Sequence, residues 1–211
     1  MTRGPCACIR TLVVSLPLLA ASPLHATELT VLTLYDDAGT TADHGHFTNV
    51  MGSNDGARLV VELADRSQPA AGDTSVRLDF LFGPNPGSWA GLVVASAPGY
   101  WGDGPGPGFD LGAAGRLIFS ARGQSGGERI RVKVAIAGDT PNGDSAPLPF
   151  DTGWLTLGSQ WQEFDLAVDG DDLRRVITPF VVIANRAHNP AGRATVHLDQ
   201  IRFAPAGNAG R

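Results

Sequence analysis

Period-two alternation of apolar and polar residues runs through most of the chain. Leu59, Val61 and Leu63 alternate with Arg58, Val60 and Glu62, and Val76, Leu78, Phe80 and Phe82 alternate with Arg77, Asp79 and Leu81. The same rhythm recurs at Leu117, Phe119 and Ala121, at Ile130, Val132, Val134 and Ile136, and at Phe164, Leu166 and Val168. Successive strand side chains point to opposite faces, so each run predicts a strand with one buried face. Further strands are predicted at 29–35, 89–95, 152–157, 178–184 and 195–203. Segments rich in Gly, Pro, Asn and Asp at 83–87, 123–127, 138–143 and 169–172 supply the turns. No stretch sustains a helical period; 171–176 has room for one helical turn.

About ten strands with one apolar face each predict an all-β fold, a two-sheet β-sandwich of antiparallel strands. The long, uneven connections suit a jelly roll better than an up-and-down barrel. The last strand carries a register conflict. Val196 and Leu198 share one parity while Ile201 and Phe203 share the other. A β-bulge at Asp199-Gln200 lets all four reach the core and re-aims Asp199; the alternative is a strand that ends at Asp199. Trp89 and Trp161 lie inside strand patterns and are assigned to the core, whereas Trp154 begins a strand and is left open.

Composition narrows the class. The chain has 211 residues, 43% of them hydrophobic, and a formal net charge of -5. That suits one folded domain and argues against a nucleic-acid binder, which needs a basic face. Arg3 and Arg10 form a positive segment ahead of a short apolar run at 11–21 that contains Pro17, and Leu24-His25-Ala26 ends on a small residue. This reads as a secretory signal peptide over 1–26, too short to span a bilayer, followed by a single domain over 27–211. Both cysteines, Cys6 and Cys8, fall in that leader, so the secreted domain must be held by its core rather than by disulfides.

Catalytic signals are sparse. The four glutamates, Glu28, Glu62, Glu128 and Glu163, form no close acidic repeat, and there is no phosphate loop or dinucleotide fingerprint. His44-x-His46 is either a metal pair or two solvated histidines in a loop. The 96–115 segment is long, Gly- and Pro-rich and carries Tyr100-Trp101. Loops of that length inside compact domains are usually functional or disordered. Trp101 either stacks on a sugar ring or plugs one end of the sandwich. Asp110 ends the same loop, and Arg77, Asp79, Arg129 and Arg131 stand on neighbouring strands. The row Arg129, Arg131 and Lys133 is either a carboxylate reader for an acidic polysaccharide or a solvated face paired with acids across the sheet.

Several segments carry a resemblance. They are His46-Phe-Thr-Asn-Val-Met-Gly52, Trp89-Ala-Gly91, Tyr100-Trp-Gly102, Gly108-Phe-Asp-Leu111, Leu117-Ile-Phe-Ser-Ala-Arg-Gly123, Gly143-Asp-Ser145, Trp161-Gln-Glu-Phe164 and Val196-His-Leu-Asp-Gln-Ile201. In this order the chain from Phe47 to Phe203 resembles the galactose-binding-like jelly rolls of carbohydrate-binding modules in bacterial extracellular proteins. The resemblance implies a non-catalytic module that binds a poly- or oligosaccharide. A polysaccharide hydrolase or lyase, and a structural or adhesion module of the cell envelope, are the alternatives. It also implies that the terminal strands lie side by side, where Asp36, Asp37 and Asp199 would hold a structural Ca2+. Otherwise Asp36-Asp37 is a turn and Asp199 bonds backbone amides.

Overall fold

The structure is a computed structural model that describes residues 30–41 and 43–207; the expected signal peptide lies outside these. Eleven strands form two antiparallel sheets. The first six are β1 (Leu32–Tyr35), β2 (His46–Gly52), β3 (Arg58–Asp65), β4 (Ser75–Leu81), β5 (Trp89–Ala95) and β6 (Arg116–Gly123). The remaining five are β7 (Arg129–Val134), β8 (Phe150–Thr156), β9 (Gln162–Ala167), β10 (Phe180–Asn185) and β11 (Arg193–Ala204). One sheet runs β3-β4-β11-β6-β9, with β1 also paired to β11; the other runs β2-β5-β10-β7-β8. The expected all-β sandwich is thus observed, and the helical turn appears as a short 3-10 turn at Gly170–Leu173.

β2 is the strand that alternation did not reveal. Its ladder with β5 slips between His46 and Asn49, so Phe47 turns to the core while Asn49 faces outward. A slip of this kind breaks the period from which a strand is read.

The core between the sheets is fully buried and continuous. Leu78 and Phe80 of β4, Leu117 and Phe119 of β6, Val196, Leu198, Ile201 and Phe203 of β11 meet Leu92 of β5, Ile130 and Val132 of β7 and Phe180 and Val182 of β10. Phe119 packs edge-on against Phe180 at 5.5 Å, joining the two sheets through an aromatic contact.

The bulge in β11 is present. Its register with β6 shifts between Asp199 and Arg202, and Gln200 adopts φ 50°. Before the bulge β11 pairs with β4, and after it with β1. Asp199 is 0% exposed. Its carboxylate accepts the Ala70 N–H at 2.8 Å, the Ala71 N–H at 3.3 Å and the Gln200 N–H at 2.8 Å. The bulge therefore ties the 66–74 connection across the outer face of the six-stranded sheet. Trp161 fastens it further, its Nε1 donating to the Gln68 carbonyl at 2.9 Å.

Beneath that strap lie groups a solvated face would expose: His197 (1% exposed), Arg122 (5%) and Asp65 (6%). His197 Nδ1 sits 3.0 Å from Asp65 Oδ2, and the Arg122 guanidinium lies over the Trp161 ring. Trp161 is therefore not a core residue, contrary to expectation; it packs on this polar cluster. Burial, then the neighbouring Arg122 charge, push the His197 pKa down.

Burial also pushes the Asp199 carboxyl up, against the pull of its amide donors. A neutral isostere should therefore be tolerated better than truncation. Asp199→Ala orphans the strap amides and should cost about 3 kcal/mol in urea unfolding, with Asp199→Asn costing less than half of that. Equal losses would show that the carboxylate charge, not its acceptor geometry, holds the strap.

Candidate functional site

The outer face of the five-stranded sheet is built differently. Its register defines two rows that cross every strand. One row is Asn49, Val93, Val181, Lys133 and Asp151; the next is Met51, Gly91, Ile183, Arg131 and Trp154. Trp89 follows beside Asn185, and Arg129 beside Thr156. Val93 and Val181 are fully buried although they face outward, so the face is roofed where β5 runs into the 96–115 loop. Met51, Trp89, Ile183, Asn185, Arg131 and Trp154 are all partly exposed. Trp89 is thus a surface residue rather than a core one, because Ala90, Leu92 and Val94 take the inward positions of β5. Gly91 has no side chain at the middle of the second row. A Cβ there would approach the Val182 carbonyl at 3.1 Å and Ile183 at 3.2 Å, so the platform dips between Met51 and Ile183.

Local contacts fix each edge of the platform. The Trp89 N–H donates to Ser53 Oγ at 3.1 Å, and Ser53 and Ser88 donate to Asp55 Oδ1 at 2.7 and 3.0 Å. The Ser53 hydrogen bond, against a smaller opposing effect of burial, holds the Asp55 carboxyl below its ordinary value. At the other edge the Trp154 and His188 rings stack at 4.0 Å and 18°. Asn185 Oδ1 accepts the His188 N–H at 3.0 Å and faces His188 Nδ1 at 2.9 Å. An oxygen that already accepts from the backbone requires the ring proton on Nδ1, leaving Nε2 as an acceptor.

A second bulge places the charged groups. β8 advances three residues, from Trp154 to Asp151, while β7 advances two, from Arg131 to Lys133. Gly153 takes φ 66° to allow this, and its N–H donates to Asp151 Oδ1 at 2.9 Å. Asp151 and Trp154 therefore share the outer face despite their odd spacing. Arg131 Nε donates to Asp151 Oδ1 at 2.6 Å, its Nη2 pairs with Oδ2, and Lys133 Nζ is 3.0 Å from Oδ2. The basic row is paired across the sheet, and the Arg131 fork is filled by this chain's own carboxylate. Burial opposes ionisation of Asp151, but Arg131, the Gly153 N–H and Lys133 outweigh it and hold its pKa at about 2.

The other expected ligand residues lie elsewhere. Arg77 and Asp79 form a 3.0 Å ion pair on the outer face of the opposite sheet. Tyr100 is a strut within its loop: its hydroxyl donates to the Gly104 carbonyl at 2.8 Å and Arg175 Nη2 lies 3.3 Å from it. Trp101 is partly exposed on that loop. Asp110 accepts the Gly112 N–H and lines a separate cleft with Asp171 and Arg174. Of the expected set, only Arg129 and Arg131 stand on the platform. The rest of it is visible in the sequence only as aromatics: Trp89 reads there as core, Trp154 is left open and His188 carries no local spacing signal.

The donor set of the expected Ca2+ clip does not fit a cation. Asp37 Oδ1 accepts the Asp73 N–H, the Thr74 N–H and the Thr74 hydroxyl, and the Asp199 carboxylate is committed to amides. The Asp36 N–H donates to Asp43 Oδ1 at 2.8 Å, in keeping with a turn at this corner. Among the described residues no group of three or more His, Cys, Asp or Glu side chains is placed to hold a metal ion, His44 and His46 included.

Comparison with known proteins points to one class of fold. No protein-family model and no curated protein sequence matches the chain. Solved structures do match, among them carbohydrate-binding modules. A family 11 module from Clostridium thermocellum, in complex with a β-1,3-1,4-mixed-linked tetrasaccharide, is similar with a TM-score of 0.54 at 10% identity, over 83% of this chain and 95% of that one. A family 30 carbohydrate-binding module gives 0.53 at 17% identity, over 87% and 91%. The chain has the fold of these modules.

The paired carboxylate has a stability signature. Its folded pKa lies below the ordinary 3.8, so its contribution is present above that value and is lost as pH falls through about 2. Asp151→Asn should lower stability at pH 7 by about 2 kcal/mol and flatten the loss between pH 4 and 2. Denaturant midpoints across that range check this; an unchanged acid limb would mean the ion pair contributes nothing.

Proposed function

We propose that this protein is a secreted, non-catalytic module that binds a poly- or oligosaccharide on the outer face of the five-stranded sheet. The observation that carries this reading is the open platform itself. Two partly exposed tryptophans stand on it, Trp89 on β5 and Trp154 on the edge strand β8, with Ile183 on the intervening β10 and Met51 on β2 beyond Trp89. Flat apolar surface suits the C–H faces of pyranose rings, while Asn185, Arg129, Arg131 and Thr156 offer partners to the hydroxyls. Glycoside cleavage needs two carboxylates across one bond, one of them protonated. The outward set holds one carboxylate, Asp151, and its ion pairs keep it charged. Secretion rests on the leader at 1–26, and the fold shared with carbohydrate-binding modules supports the ligand class.

A linear glucan is the first probe, the mixed-linked tetrasaccharide in particular. Calorimetric titration of Trp89→Ala and Trp154→Ala should show at least about tenfold weaker binding with little change in melting temperature, since partly exposed rings contribute little core energy. Trp161→Ala, on the strapped face, should bind as the parent does. Retained affinity in both platform variants would refute the site.

A further inference from the structure

A second cavity adjoins the platform. It is a cleft of about 450 Å³ between the β6–β7 and β10–β11 connections, where one end of each sheet meets. Gln124, Ser125 and Glu128 line it from the β6–β7 side, and His188, Arg193 and Thr195 from the β10–β11 side. The Thr195 carbonyl accepts the Gln124 N–H at 3.0 Å, tying the β6–β7 connection to β11 beside the cleft. Its volume falls within the usual range for small-molecule sites, enough for about one or two sugar rings.

Its chemistry is that of a polyol site. Glu128 and Arg193 bring one charge of each sign, so neither an anion nor a cation is favoured. Glu128 Oε1 caps the Ser125 N–H at 2.8 Å, while Oε2 is buried with no hydrogen-bond partner among the described residues, which leaves acceptor capacity unused. The Arg193 guanidinium makes no hydrogen bond or ion pair among the described residues. Gln124 and Ser125 add neutral donors and acceptors.

His188 joins the two places. One side of its ring stacks on Trp154 of the platform, and the same residue lines the cleft, with Nε2 free to accept. The Asn189 amide holds this connection in place, accepting the Arg129 N–H at 2.9 Å and donating to the Arg129 carbonyl at 2.9 Å. A glycan that leaves the platform over Trp154 meets His188 and then a cleft with room for about one or two rings, bounded by the two connections. A chain interior would have to leave again; a chain end would not, and its terminal ring presents a hydroxyl that interior rings have spent on linkages.

We infer that this cleft is a terminal subsite, so that the module recognises the end of a neutral glycan chain rather than its interior; the inference rests on the platform being the sugar-binding face. The test uses the mixed-linked tetrasaccharide and the soluble polymer of the same linkage. With the parent protein, the polymer's binding capacity at constant mass should rise in step with the number of chain ends as the polymer is partially hydrolysed. Ala191→Trp fills the cleft from an exposed loop position, and Glu128→Gln removes its charge while keeping the Ser125 cap. Each should weaken tetrasaccharide binding at least tenfold. Capacity that follows polymer mass regardless of ends, or full tetrasaccharide affinity in both cleft variants, overturns the terminal subsite. In that event Trp154→Ala tells the two ideas apart: if it alone abolishes binding, the platform stands and only the cleft assignment fails. Absence of binding by the parent protein to either probe overturns both.

Discussion

The bulge at Asp199-Gln200 is the constraint on which this molecule turns. β11 lies inside its sheet, with β6 along one side and β4 then β1 along the other. A regular strand would send either Val196 and Leu198 or Ile201 and Phe203 to the outside, stranding two large apolar side chains in water. One extra residue resolves the conflict, and the four pack into a common core. The same irregularity leaves a carboxylate where a regular ladder would have none, and that carboxylate collects the amides of the 66–74 connection.

The two outer faces differ as a result. The six-stranded sheet is strapped, and His197, Arg122 and Asp65 are sealed under the strap with Trp161 as its fastening. The five-stranded sheet is roofed only at the end occupied by Val93 and Val181. What remains open is a strip with Trp89 on β5, Trp154 on the edge strand β8 and an ion-paired row between Trp154 and the roof. A sandwich has two outward surfaces in principle, and here buried polar chemistry consumes one of them.

Much of this was legible in the sequence, and the exceptions have physical causes. Alternation, short apolar runs and the turn residues between them located ten of the strands, and the parity break in β11 located its bulge, because burying one face leaves a trace at every second residue. β2 left no such trace, since its register slips at the point where Phe47 turns inward. Trp89 was misassigned because every residue of Trp89–Ala95 is apolar or Gly, so alternation carries no information about which side faces the core. Arg131 was recognised as a fork, but its partner was hidden: the Gly153 bulge moves Asp151 onto a face that simple parity denies it. Tyr100 drew attention by composition, whereas its role is set by Gly104 and by Arg175, which lies 75 residues away.

The central claim, that the open face of the five-stranded sheet is the ligand surface, meets its most direct test in the indole N–H resonances of the four tryptophans. Titration with the mixed-linked tetrasaccharide should shift the Trp89 and Trp154 signals and leave Trp161, tied to the Gln68 carbonyl, where it was. Movement of Trp161 or Trp101 with Trp89 and Trp154 unchanged would contradict the account.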